Sequence, residues 1–157
     1  METLKITKAD LNERNEYTRS RDLEFEGHIE VEASLGLVSV LGFIRAAGEL
    51  SIKAGSSIKA GESIEAGWSI EAGESIEAGE SIEAGSSIKA GLSIRCKAQL
   101  TAKLRIFAGL CTWKLPKPEE QVIECAELVE GIVGFGQLKL LADSAPIAQP
   151  AEGGNAE

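Results

Sequence analysis

The chain has 157 residues, the size of one domain, with 43% hydrophobic but only 4% aromatic residues, so its core must use Ile, Leu, Val and Ala in thin layers. Sixteen Lys and Arg stand against 25 Asp and Glu, for a net charge of -9. That balance argues against binding nucleic acid or an anionic membrane, both of which call for a basic surface.

Residues 1–21 are polar and are expected to hold a short strand (Leu4, Ile6) and a loop. They lack the apolar run of a signal peptide, and no apolar stretch of membrane-spanning length follows, so the expected compartment is the cytoplasm. From residue 22, inward-looking pairs two apart recur: Leu23/Phe25, Ile29/Val31, Leu35/Leu37, then Val38/Val40 and Ile44/Ala46 in a shifted phase. Residues 22–50 therefore read as irregular solenoid coils or a capping sheet, with slips near Gly36 and Gly48.

From Ser51 to Arg95 the chain repeats a six-residue unit, SIKAGS, SIKAGE, SIEAGW and so on, with Ile at 52, 58, 64, 70, 76, 82, 88 and 94. Apolar residues two apart share one face of a strand, so each unit is a short strand with Ile and Ala inward and Ser and the charge outward. Gly, with its φ freedom, is expected to turn each corner. Such strands are buried only by stacking. Three units per coil predict an all-β, single-stranded triangular β-solenoid with six-residue sides, in which residue i lies over i+18.

The charges give that register content. Lys53, Glu71 and Lys89 form one column and Lys59, Glu77 and Arg95 another, so Lys53 should approach Glu71 and Lys59 should approach Glu77. The third side reads Glu65, Glu83, Thr101, with Glu62 and Glu80 at the adjacent corner: an acidic side without opposite charge.

Beyond the repeat, Leu100/Ala102 and Ile106/Ala108 hold the phase. Phe107 falls in the column of Lys89, Trp113 in that of Arg95, and Leu110 above Leu92. Exposed apolar residues gathered at one end imply a cover. After Pro116 and Pro118, residues 116–142 read as two strands around Glu130-Gly131, a β-hairpin that caps the last coil or meets another chain. The organisation is thus 1–21 polar segment, 22–115 solenoid, 116–142 hairpin, and an acidic tail from 143 to 157 expected to be disordered.

Chemical signatures are absent. His28 is the only histidine, and Cys96, Cys111 and Cys125 form no CxxC pair, which fits reduced thiols. No phosphate loop, GxSxG or HExxH occurs. No catalytic residue, cofactor or metal is expected. The partner-binding candidates are Glu62, Glu65, Glu80, Glu83 and Trp68 on the repeat, with Phe107, Leu110 and Trp113 at its end.

The Ile-x-Ala strands at period six resemble two families. The hexapeptide-repeat acyltransferases, left-handed solenoids, share the period, but the fourth residue after each Ile varies here (Ser56, Glu62, Trp68, Glu74, Leu92), and their histidine has no counterpart in the repeat. Bactofilins, polymer-forming bacterial proteins, look closer over residues 22–109 and the tail. That resemblance implies a right-handed solenoid assembling end to end without nucleotide; no functional residue carries over.

The expected function is a non-enzymatic structural or interaction module, an acidic rod that self-associates or presents a face to a partner protein. Two alternatives stand beside it. One is a small phage-type inhibitor of a host nucleic-acid-binding defence system, whose carboxylates imitate phosphates, although Ser51 to Arg95 carries four basic against seven acidic residues. The other is an acyltransferase-like enzyme.

Overall fold

A computed structural model describes residues 1–141 of the chain. The tail expected from residue 143 lies outside them. Within the described residues the repeat folds as three-residue strands, Ile64–Ala66, Ile70–Ala72, Ile76–Ala78, Ile82–Ala84, Ile88–Ala90 and Ile94–Cys96, each with its first and third side chains buried. Neighbouring strands are parallel, and the ladder steps by eighteen: Ile64 beside Ile82, Ile70 beside Ile88, Ile76 beside Ile94. The result is the expected three-sided solenoid. The first side carries Ile64 and Ile82, the second Ile70 and Ile88, and the third Ile76 and Ile94. Each of these isoleucines is fully buried on the one before it, and burying such a side chain contributes roughly 1.5–3 kcal/mol.

The repeat's small residues hold the coils at contact distance. Gly61, Gly67, Gly73, Gly79, Gly85 and Gly91 are not among the glycines of positive φ, so the expectation of φ freedom fails for them. What they require is space: a β-carbon on Gly79 would stand 2.1 Å from the Gly61 carbonyl oxygen of the coil before. Serine works between coils as well. The Ser57 hydroxyl accepts from the Ser75 N–H at 3.1 Å, and that of Ser81 accepts from the Gln99 N–H at 3.2 Å.

The first six-residue unit is out of phase with the rest. Leu50, rather than Ile52, lies beside Ile70; Ile52 takes the Ala72 position, and Ser51 stands beside Glu71. The Lys53–Glu71 contact is therefore absent from the ladder. A shift of two residues keeps the same side chains inward, so the hydrophobic pattern tolerates it. The surplus residues form a corner at Lys53–Ser56, where Gly55 has φ +80°. An earlier slip occurs at Gly36 (φ +75°), which turns Leu37 outward and leaves Val38 and Val40 as the inward pair. No slip occurs at Gly48. Lys59 does lie beside Glu77, and Glu77 beside Arg95.

Residues 116–141 form no hairpin. Val122–Cys125 pairs parallel with Ile94–Cys96, Glu127–Phe135 pairs parallel with Gln99–Phe107, and Gln137–Leu140 pairs parallel with Val122–Cys125. The chain at Glu130-Gly131 does not reverse; it bends round a solenoid corner, with Gly131 at φ +122°. The long strands Gln99–Phe107 and Glu127–Phe135 each run along the first side and then the second. Between them, residues 108–121 leave the wall as a loop, so that Ile94 pairs with Ile123 instead of residue 112. Glu124 thus takes the place beside Arg95 expected of Trp113, and Gly109, whose N–H donates to the Leu92 carbonyl, takes the place expected of Leu110.

The two ends differ. At the N-terminal end, Ile6, Tyr17 and Leu23 are buried, and Leu11 of the segment 7–18 packs against the same core. Asp10, 5% exposed, accepts from the Thr7 N–H at 2.8 Å and pairs with Arg19. At the other end, Leu138 and Leu140 occupy the inward rows of Ile123 and Cys125 yet remain 39% and 45% exposed.

Candidate functional site

Three surfaces gather the candidate residues. The first is the acidic side. Glu65 lies beside Glu83, and the Glu80 N–H donates to the Glu62 carbonyl, so the four carboxylates form one patch as the register requires. The patch is not without opposite charge. Arg45 bonds Glu65 at 3.2 Å and Glu24 at 3.0 Å, and Arg21 pairs with Glu62. These arginines belong to the irregular coils at residues 21–45, whose place beside the repeat could not be read from periodicity. A groove of about 340 Å³ runs along this side, with Arg45 and Lys103 among its walls beside Glu65 and Glu83. Trp68 is set apart from the patch, at the corner leading to the second side. Its ring, 52% exposed, meets the edge of His28 at 4.9 Å. The His28 Nδ1 accepts from the Glu49 N–H at 2.9 Å, so this imidazole has a structural partner.

The second surface is the corner between the second and third sides. Three insertions into the eighteen-residue step fall there: the surplus at 32–37, that at Lys53–Ser56, and the loop at 108–121. Insertions confined to one edge of a repeat array mark the edge that presents loops for binding. Between the second and third of them lies a groove of about 300 Å³, with Glu71 and Lys89 in its wall and Leu110, Cys111 and Trp113 at one end. Lys89 also lies over the Phe107 ring at 6.0 Å. Phe107, Leu110 and Trp113 are therefore all close to Lys89, although only Phe107 sits in the column expected of it. The loop is braced from within. Lys114 pairs with Glu120 at 2.9 Å, and the Lys117 N–H donates to the same carboxylate at 2.9 Å. These contacts, the backbone one first, hold the Glu120 carboxyl below its usual pKa.

The third surface is the open end. Val129, Ile132, Phe135, Leu138 and Leu140 are all exposed on the last coil. Sequence reasoning missed them as a group because it folded these residues into a hairpin. Only the inward pairing of Leu138 and Leu140 with the Ile and Ala columns would have revealed them.

The thiols offer little chemistry. Burial pushes Cys96 up to about 11 and Cys125 up to about 12, the latter helped by the neighbouring Cys96 and Glu124. Both stay protonated at neutral pH, when the thiolate is the nucleophile. Among the described residues no cluster of three or more His, Cys, Asp or Glu is arranged to hold a metal ion, and no helix is long and apolar enough to cross a membrane.

The fold thus defines a parallel three-sided β-solenoid. No protein family, curated protein or solved structure matches the chain.

Proposed function

We propose that this protein is a non-enzymatic structural or protein-interaction module: a rigid acidic solenoid that associates with other copies through the last coil, within the cytoplasm. The observation that carries the reading is the exposure of Leu138 and Leu140 in rows that are buried in the preceding coils. An apolar layer left open at the end of a repeat array is an association surface unless something caps it. The strands Glu127–Phe135 and Gln137–Leu140 also present an outer edge that pairs with no further strand among the described residues. The likeness to bactofilins supports the same reading, through parallel aliphatic-x-small strands and end-to-end assembly. The covered N-terminal end departs from that likeness, since an indefinite polymer needs two free ends.

Sedimentation velocity across a hundredfold concentration range tests the proposal. Association predicts a mass above 16.6 kDa that falls on dilution, and Leu138→Asp with Leu140→Asp should hold the chain at that mass. A monomer at every concentration would rule self-association out.

A second reading is favoured by the loop-bearing corner: the braced loop at 108–121 holds Leu110 and Trp113 out beside the Glu71/Lys89 groove, where a partner protein could dock. The acidic-decoy reading draws less support, because Arg21 and Arg45 already engage Glu62 and Glu65. An acyltransferase-like activity has no histidine on the repeat to work with.

A further inference from the structure

We infer that two copies of this chain join at their C-terminal ends about a two-fold axis passing through residues 132–135. That segment meets its own copy, while residues 137–140 of each chain lie against residues 127–130 of the other. The inference rests on the self-association reading above and specifies its geometry.

The two ends of the solenoid exclude head-to-tail stacking. The inward residues of the first coil, Ile6 and Leu23, are buried, with Leu11 and Tyr17 of the segment 7–18 packed into the same core. The last coil has no such cover among the described residues: Leu138 and Leu140 are exposed in inward rows, and Val129, Ile132 and Phe135 are exposed as well, the last two beside Arg105 and Phe107 at its rim. Two like surfaces meeting give a closed, isologous pair.

A two-fold axis across the end of a three-sided solenoid carries one side onto itself and exchanges the other two. Three choices are open, and two independent features select among them. The first is the rise of the coil. The last coil runs from residues 127–130 on the first side, through 132–135 on the second, to Gln137–Leu140 on the third. It climbs by one strand spacing, roughly 4.8 Å, over that course. Its end is therefore the highest step of the ramp and its start the lowest. When the axis passes through the middle side, the high step of one copy meets the low step of the other and the gap is uniform all round. Either other choice leaves at least one side of the ramp about a strand spacing out of contact.

The second feature is charge. Residues 132–135 are Ile, Val, Gly and Phe, and meet their own copy without like-charge contact. Self-pairing of Gln137–Leu140 would oppose Lys139 to Lys139, and self-pairing of residues 127–130 would oppose Glu127 and Glu130 to themselves. The arrangement through the middle side brings Lys139 of each chain to Glu127 and Glu130 of the other. It also lays Leu138 and Leu140 against Leu128. Glu127 and Glu130 already meet Gln99 and Lys103 of their own chain at 3.3 Å, while their side chains stay exposed.

The competing occupant is the chain's own continuation. Residues 142–157 contain a single large aliphatic residue, Ile147, and two prolines that cannot donate to a strand edge. One such residue is a poor match for five exposed large apolar side chains.

Sedimentation equilibrium of the full chain, with circular dichroism on each variant to verify the β fold, tests the inference. The expected mass is twice 16.6 kDa, reached and not exceeded as concentration rises, and unchanged for a chain ending at residue 141. Lys139→Glu should weaken the dimer at least tenfold. Mixing that variant with the Glu127→Lys, Glu130→Lys double variant should restore a mixed dimer. Mass that keeps growing with concentration, or a dimer indifferent to these exchanges, overturns this arrangement while leaving self-association standing. A full-length monomer that dimerises only after truncation at 141 makes the tail the occupant and overturns it too. A monomer in both forms overturns both this inference and the self-association reading.

Discussion

Gly85 sits over Gly67 so closely that a β-carbon on Gly85 would stand 2.0 Å from the Gly67 carbonyl oxygen. The obstacle is backbone, held by the Gly85 N–H donating to Ala66 at 3.0 Å, so it cannot swing aside. Gly85→Ala should therefore cost about 3 kcal/mol or more, by overpacking without a gain in buried area. Lys59→Ala, an exposed change in the same repeat, should stay within about 0.5 kcal/mol. Urea titrations of the two variants should separate them clearly; equal midpoints would mean the coils are not in contact at this corner.

Ser57 is nearly buried, and its hydroxyl bridges coils, accepting from the Ser75 N–H and donating to Glu74 at 3.3 Å. Ser57→Ala leaves the Ser75 donor without that acceptor, at a cost of about 1–3 kcal/mol. Ser86→Ala, at a corner where the Ser86 backbone bonds Trp68 and Leu104, should cost less. Thermal denaturation of both would check the order.

The cysteines should differ in reactivity and set an alkaline limit. Iodoacetamide on the folded protein should label Cys111 well before Cys96 and Cys125, which are buried and protonated. The two buried thiols have folded-state values of about 11 and about 12, above the ordinary 9.0. Below pH 9 they are protonated in both states, and their contribution to stability is complete. As pH climbs from 9 through those folded values, the unfolded chain loses protons that the folded one retains, and stability must fall. Cys96→Ala with Cys125→Ala should flatten that decline in pH-dependent urea midpoints.

Acid acts on the opposite end. The Thr7 N–H, followed by Arg19, lowers the Asp10 carboxyl below 3.8. Its contribution is present above that value and is lost as pH falls through the lower folded one. Asp10→Asn should remove this acid-dependent step and loosen residues 7–18, measurable as faster proteolysis near Asn12. Unaltered cleavage would show that the N-terminal cover does not depend on this carboxylate.

How much of this was legible in the sequence follows from what periodicity can encode. A column of Ile at every sixth residue, with Ala two residues on, specifies strands, faces and three units per coil, so the regular core from Ile58 to Cys96 could be read directly. Phase is less secure, because a shift of two leaves every inward side chain inward. Ser51-Ile52-Lys53 repeats the motif in letters while Leu50 takes the structural place. The segment after Pro118 misled for a similar reason. Alternating apolar residues with a central glycine suit a hairpin and a solenoid corner alike, and only the long-range pairing of Ile123 with Ile94 separates them. The arginines that answer Glu62 and Glu65 lie about twenty or forty residues upstream, in coils of irregular length.

Amide hydrogen exchange, followed residue by residue at two protein concentrations, tests most directly the claim that the last coil is an association surface. The amides of residues 127–140 should exchange more slowly at the higher concentration, while those of residues 64–96, buried within one copy, stay the same. Exchange in residues 127–140 that is fast and identical at both concentrations would contradict it.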